Sequence, residues 1–343
     1  MFRLAIFVTT NTIRMKITNS LKSIAVLTSG GDAPGMNACL RAVVRTANHF
    51  DISVVGINKG FQGMVENDFR SLTANDVSNI IQRGGTILKT ARSAAFMTKE
   101  GRERAMNNLI KSNVDALVVI GGDGSFKGAL SLSDEYNIPV IGIPGTIDND
   151  LFGTEATIGY DTAINTVVDA VDKIRDTANA HNRLFFVEVM GRDAGFIALR
   201  SGIACGAEAV LIPESNTYVE ALMGRLESGW DREKTSAIII VAEGDDSGGA
   251  AELAKLVKKR FPQFDTRVSI LGHIQRGGAP SAYDRVLASE LGSWAVRTLR
   301  RGHSGVMVGR QGGKVVETSL KQAVKHNRTI NPQLEELVNW LSE

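Results

Sequence analysis

Cysteine is nearly absent: the 343 residues contain two, Cys39 and Cys205, in neither a CxxC pair nor a Cys/His cluster of metal-ligand spacing. That excludes a disulfide framework and a cysteine-ligated metal, and both are expected as reduced, small apolar residues of a cytoplasmic protein. No apolar run approaches the ~20 residues of a membrane-spanning helix, so a soluble protein with no membrane partner is expected. Neither sign of charge prevails. With 39 basic and 37 acidic residues the formal net charge is +2, which argues against nucleic acid held by a general positive field and makes any anion site local. Linkers rich in proline, glycine or serine, low-complexity tracts and short-period repeats are also missing, so a domain border has to be a crossing between sheets.

What is present is an apolar fraction of 43%, enough for two cores at roughly 100 to 200 residues per domain. From Ser23 onward, β-rich runs alternate with helical periodicity: "SIAVLT", "ISVVGI", "DALVVIG", "IPVIGIP", "LFFVEVMG", "AVLIP", "AIIIVAEG" and "RVSILGH". They are continuously apolar, as strands covered by helices on both faces are. The expected fold class is α/β in two lobes, each a mainly parallel sheet with helices on both faces. Ile164, Val167, Val168, Val171 and Ile174 form an apolar helical stripe that leaves Arg175 near the polar edge. A helix from about Met36 carries Arg41 and Arg45 on one face, by itself a solvated basic face. Borders are set near Ile158 and Gly272, giving one lobe of 22–158 with about 272–322 and a second of 159–271 with about 323–343. Residues 1–21 lack a full signal-peptide core and cleavage site and are expected as a loose extension, with Met15 offering an alternative start.

Three strand ends carry the chemistry. "TSGGDAPGMN" surrounds a strand-to-helix turn with Gly30, Gly31 and Gly35, and unobstructed backbone N–H groups at a helix N-terminus suit a phosphate. A tight turn also favours glycine for its own sake. "VVIGGDGSFKGAL" repeats the device from Gly121 to Ser125 and embeds Asp123, which is either a helix cap or a carboxylate for hydrated Mg²⁺. "GTIDND" sets Asp148 and Asp150 two residues apart. Phosphoryl transfer to an alcohol needs an acceptor for the hydroxyl proton and a shield for phosphoryl charge. Asp148 is the expected general base, and Asp150 orients neighbouring groups or contributes to the metal's surroundings; the alternative is a pair of loop-satisfying Asx residues. Downstream, Arg183 in "HNRLFF", Arg192 in "MGRDAG", and Arg267, His273 and Arg276 in "RVSILGHIQRGG" offer donors for a sugar phosphate. Singly, each is more often a surface ion-pair or structural residue.

Together, "TSGGDAPGMN", "VVIGGDGS", "PGTIDND", "VEVMGR" and "LGHIQRGG" resemble the ATP-dependent 6-phosphofructokinases of bacterial type, in that family's order from about Lys22 to the C-terminus. The resemblance implies a glycolytic phosphotransferase that uses ATP and Mg²⁺ to phosphorylate fructose 6-phosphate. It implies that Gly31 contacts ATP, that Arg92 in "TARS" bridges its phosphates beside Ser93, and that Gly122, Asp123, Gly124 and Ser125 surround the nucleotide, with Asp123 serving Mg²⁺. It further implies that Thr146 and Asp148 meet the 1-hydroxyl, that Met190, Gly191 and Arg192 hold the sugar while Arg192 offsets transition-state charge, and that Glu243 binds sugar hydroxyls. Arg183, Arg267, His273 and Arg276 hold the acceptor, with Arg183 and Arg267 reaching a neighbouring subunit's site in a homotetramer.

The same resemblance implies an effector site for ADP or phosphoenolpyruvate at Arg41, Arg45, Arg175, Glu208, Arg232 and Lys234, which replaces the solvated-face reading of the first two. It is incomplete: Ala74 stands where an effector-binding arginine is expected, and Ser236 where a histidine is. Lys89 replaces a small residue just before "TAR". Relatives that use pyrophosphate carry aspartate in place of Gly124 and lysine in place of Gly145, so both glycines favour ATP. NAD and lipid kinases share the "GGDG" loop but leave the later arginines unexplained, and a non-catalytic nucleotide sensor leaves Asp148 and Asp123 unexplained.

Overall fold

Ser23–Thr28 (β1) is buried at all six positions. Ile24 and Val26 enter one apolar layer and Ala25 and Leu27 another, because successive side chains of a strand point to opposite faces and both faces are covered. The computed structural model describes residues 21–181, 183–215, 219–231, 236–246 and 248–341. The expected loose extension lies outside these apart from Leu21, which packs against the core.

After β1 come α1 (Met36–His49), β2 (Ser53–Ile57), α2 (Gly60–Glu66), β3 (Phe69–Leu72), α3 (Ala94–Met97), α4 (Lys99–Lys111), β4 (Ala116–Gly121), α5 (Asp123–Tyr136) and β5 (Val140–Pro144). A second set follows: α6 (Tyr160–His181), β6 (Arg183–Val189), α7 (Phe196–Cys205), β7 (Ala209–Leu211), α8 (Val219–Asp231), β8 (Ala237–Ala242), α9 (Gly249–Arg260) and β9 (Asp265–Ile270). The chain returns through a 3-10 turn at Gly272–Arg276, α10 (Ala282–Arg300), the hairpin β10 (Val306–Gln311) and β11 (Lys314–Ser319), α11 (Leu320–Lys325) and α12 (Pro332–Leu341).

Two sheets result, a seven-stranded one in the order β11-β10-β5-β4-β1-β2-β3 and a four-stranded one in the order β7-β8-β6-β9. All neighbours are parallel except β10 with β11 and β2 with β3. The protein is thus an α/β molecule of two mainly parallel sheets. The edge strands β3 and β11 were not legible as apolar runs because they alternate or carry charge: "FRSL" and "KVVETS" bury little. One expectation is corrected. "RVSILGH" is not covered on both faces; β9 is the sheet edge, with Val268 40% and Ile270 62% exposed.

The apolar stripe of α6 faces inward as its periodicity predicts, with Val167 and Val171 fully buried. Its N-terminus is held by a residue from far along the chain: Asp284 accepts the Gly159 N–H at 2.9 Å, the Thr162 N–H at 2.8 Å and the Thr162 hydroxyl at 2.5 Å. This remote cap satisfies otherwise orphaned donors and ties α10 to α6. Both cysteines are buried free thiols. Among the described residues, no helix is long and apolar enough to cross a membrane.

Candidate active site

Every parallel strand delivers its following loop to the same edge of its sheet, so the C-terminal ends of β1, β4, β5, β6 and β8 are where distant motifs can meet. The turn after β1 opens with Gly30 at φ 86°, and its Ser29 N–H donates to the Ile120 carbonyl at 3.0 Å, at the end of β4. The helix α5 starts directly behind Gly122, which caps it without any side-chain hydrogen bond. Its first N–H groups therefore remain available to an anion. Asp123 is not the cap; it occupies the first turn and pairs with Lys127 at 2.7 Å.

The donor-discriminating glycines differ in kind. A Cβ on Gly124 would meet no atom within 4 Å. Nothing in the protein's own packing demands glycine there, and the space faces outward from the helix start. A Cβ on Gly145, in contrast, would come within 3.0 Å of Ile120 Cγ2 and 3.3 Å of Met36 Cε, so Gly145 is explained by packing and says less about the donor than Gly124 does.

Thr146 and Asp148 are buried after β5, and the Asp148 N–H donates to Thr146 Oγ1 at 3.2 Å. Among the described residues, Asp148 Oδ1 is a buried acceptor without a hydrogen-bond partner. Burial pushes the Asp148 carboxyl above its ordinary value, and Glu243 pushes the same way, whereas Arg276, the Thr146 hydroxyl and Arg192 pull it down. Asp150 is pushed up to about 6, first by burial and then by the charges of Asp148 and Asp123. Asp150 thus feels two carboxylates, one from its own loop and one from the start of α5. Among the described residues no group of three or more His, Cys, Asp or Glu could hold a metal by itself.

Arg276 connects the strand ends. Its guanidinium lies against the Gly31 backbone, where any Cβ would collide with it, and Nη1 donates to the Asp32 carbonyl at 3.3 Å. The Met190–Gly191–Arg192 turn after β6 has Arg192 at φ 57°, with its side chain exposed and 3.7 Å from Asp193. Glu243 braces this turn, Oε1 accepting the N–H groups of Gly191 at 3.3 Å and Arg192 at 2.7 Å. Gln275 was missed in the sequence. It is fully buried, its Oε1 accepts the Met190 N–H at 2.9 Å, and its Nε2 has no partner among the described residues. Its place inside "HIQRGG", between His273 and Arg276, was the available signal.

The other nominated residues divide. Arg92 is exposed, and among the described residues no hydrogen bond or ion pair holds it; Ser93 caps α3 by accepting the Phe96 N–H at 3.1 Å. His273 is exposed in the 3-10 turn. Arg183 and Arg267 do not join the others: both grip Asp265 at 2.8 Å, Arg183 from the first residue of β6 and Arg267 from the third of β9. The seven residues of β6 put Arg183 about 20 Å from the Met190 turn, and Arg267, which pairs with Phe185, lies two residues nearer. Within this chain Arg183 and Arg267 thus stand apart from Arg192 and Arg276. Arg41 and Arg45 lie on α1, while Arg175 donates to the Cys205 and Gly206 carbonyls behind α7, and Glu208 accepts the Ile238 N–H at 2.6 Å. Arg232 and Lys234 lie outside the described residues.

The glycine-walled start of α5, the buried Asp148 with the half-buried Asp150, and Arg276 beside Gly31 belong to an α/β protein of the phosphotransferase class. The chain belongs to the phosphofructokinase family: the family model described as phosphofructokinase matches residues 23–299. ATP-dependent 6-phosphofructokinase 2 of Bacteroides thetaiotaomicron is 52% identical over 324 residues, covering 94% of this chain and 98% of the relative. ATP-dependent 6-phosphofructokinase 1 of Thermus thermophilus is 54% identical over 314 residues, covering 92% and 97%. Among solved structures, phosphofructokinase from Saccharomyces cerevisiae superposes with a TM-score of 0.82 at 38% identity, over 89% of this chain and 45% of that longer one. A pyrophosphate-dependent phosphofructokinase from Marinobacter aquaeolei shares the fold, with a TM-score of 0.81 at 21% identity over 91% and 86% of the two chains.

Proposed function

We infer that this chain transfers the γ-phosphoryl group of ATP to the 1-hydroxyl of fructose 6-phosphate, giving fructose 1,6-bisphosphate and ADP. The observation that carries the mechanism is Asp148: a buried carboxylate with one oxygen unpaired, beside a phosphate-binding helix start. As the hydroxyl oxygen attacks phosphorus, Asp148 accepts its proton, and the raised affinity for protons that burial confers improves it as a base. Gly31 and Gly122 to Ser125 cradle the donor phosphates, Arg92 stands free to bridge them, and open space at Gly124 admits the rest of the nucleotide. Asp123 would hold Mg²⁺, with Asp150 in its surroundings, and the chemistry supplied there would be neutralisation of phosphate charge. Thr146 and the Met190–Arg192 turn seat the sugar, Arg192 offsetting charge at the phosphoryl group, while Glu243 and His273 contact the acceptor and Arg276 spans donor and acceptor.

Arg183 and Arg267 lie beside the exposed Val268 and Ile270 of an edge strand. Their position supports a homotetramer in which each pair completes a neighbour's acceptor site, and intact mass by native spectrometry tests it. ADP or phosphoenolpyruvate is the proposed effector at Arg41, Arg45, Arg175, Glu208, Arg232 and Lys234, in a cytoplasmic enzyme. The internal bonds of Arg175 and Glu208, with Ala74 and Ser236 in place of charged partners, point to weak binding there. Coupled ADP release with fructose 6-phosphate, run against pyrophosphate as alternative donor, tests the main reading: ATP-supported turnover is expected, and turnover with pyrophosphate alone, or with neither, overturns it.

A further inference from the structure

The acidic loop is fastened from behind by a segment close to the C-terminus. After α11 the chain runs antiparallel to the stretch that follows Asp150. Leu151 bridges to Asn327, the Arg328 N–H donates to the Asp150 carbonyl at 3.0 Å, and the ring of His326 lies 5.3 Å from that of Phe152. The Arg328 guanidinium then reaches over the loop, and Nη1 donates to the Glu155 carbonyl at 2.6 Å. That same oxygen accepts from Asn149 Nδ2 at 3.4 Å. Asn149 sits between the two aspartates, buried and held in the left-handed region at φ 55°. From within, the loop is also held by the Thr157 N–H on Asn149 Oδ1 at 2.9 Å and the Thr157 hydroxyl on the Thr146 carbonyl at 2.6 Å; Arg328 adds a guanidinium from outside at the Glu155 carbonyl.

The guanidinium has a second neighbour. It lies 5.0 Å from the ring of Phe196, the first residue of α7, whose carbonyl accepts the Tyr160 hydroxyl at 3.0 Å. Arg328 thus touches both the acidic loop after β5 and the helix that follows the Met190–Arg192 turn. A packing role alone accounts poorly for arginine here. Among the described residues no carboxylate forms an ion pair with it, since the nearby Glu155 carboxylate turns to the Gly312 N–H at 2.5 Å. Burial lowers its affinity for the proton and Arg200 lowers it further, against Tyr160 and Glu155. A cation half-buried without an ion-paired partner is costly, and an apolar side chain would stack on Phe196 without that cost.

We propose that Arg328 is a positioning residue for phosphoryl transfer, clamping the backbone that aims Asp148 and coupling it to α7. The proposal rests on the phosphoryl-transfer reading above. Misplacing a reacting group by about 1 Å can cost 10²-fold in rate. Arg328→Ala should accordingly lower kcat by about 10- to 100-fold while both KM values change less than about twofold, because substrate contacts are retained and only the transition-state geometry is lost.

The test is full steady-state kinetics of the whole chain with ATP and fructose 6-phosphate both varied, with methylguanidinium chloride added at millimolar concentration against sodium chloride of equal ionic strength. Partial recovery of kcat in Arg328→Ala by methylguanidinium, and an intermediate kcat in Arg328→Lys, support the proposal. A kcat within about twofold of the wild type, or a loss that neither the guanidinium nor lysine recovers, overturns it. Should the alanine variant fail to fold, Arg328→Lys decides alone: a lowered kcat at unchanged KM supports the role, and a wild-type kcat removes it. An inactive wild type would remove the phosphoryl-transfer reading and this role with it, whereas an active wild type matched by its variants removes only the role.

Discussion

The backbone N–H of Asp148 donates to Thr146 Oγ1 at 3.2 Å while the Asp148 carboxylate keeps Oδ1 buried and unpaired. The loop spends its local donor on shaping the turn and leaves the carboxylate oxygen for an incoming hydroxyl. Asp148→Asn preserves the size and the backbone bond but removes the base, so kcat should fall by about 10² to 10⁴. Initial rates of ADP release with circular dichroism as a folding control check this; near-normal turnover would take Asp148 out of the role.

Asp150 is held at about 6 when folded, against an ordinary 3.8. A carboxyl whose folded value is raised favours the fold only while protonated, so the wild type gives up stability as pH rises through about 6, and nothing is lost below the ordinary value. Asp150→Asn should therefore be more stable than the wild type at pH 7, by about 1 to 3 kcal/mol. The gap should close on acidification below both values. Thermal melts across pH without nucleotide or magnesium decide, and a variant destabilised at pH 7 would contradict the assignment of repulsion and burial.

Gly124 leaves open space at the start of α5. An aspartate there meets no protein atom at its Cβ, so the fold should survive Gly124→Asp. The new carboxylate lies where donor phosphates arrive and repels them. A fall of at least about tenfold in kcat/KM for ATP is expected, and an unchanged value would show that the donor does not pass over this position.

Arg276 lies on the Gly31 backbone and also influences Asp148. Removing its fork in Arg276→Ala should raise KM for fructose 6-phosphate and, because the same group supports the donor turn, KM for ATP as well. A substrate-only effect would place the guanidinium on the acceptor side alone.

Gln275 supplies the acceptor for the buried Met190 N–H. Gln275→Leu leaves that donor unsatisfied, a loss of about 1 to 3 kcal/mol, which loosens the Met190–Arg192 turn. Thermal stability and affinity for fructose 6-phosphate should fall together; equal KM and equal melting temperature would assign the side chain no part in holding the turn.

The class of fold and the family were legible along the chain, and so were the motifs on which the proposed chemistry rests. Buried parallel strands read as unbroken apolar runs, and phosphate sites need glycines in contiguous stretches at strand ends, so "SIAVLT", "GGDG" and "TIDND" are local signals. Asp148, Asp123 and Gly124 were legible for that reason. Contacts between distant segments were not. Only the tertiary structure placed Arg276 on Gly31, showed Gly145 to be a packing residue, buried Gln275 under Met190 and brought Arg328 across the acidic loop, because each depends on where the chain crosses between sheets. It also separated Arg183 and Arg267 from the remaining arginines: an alternating chain delivers side chains to a common site from the C-terminal ends of its parallel strands, and neither of these two stands at such an end.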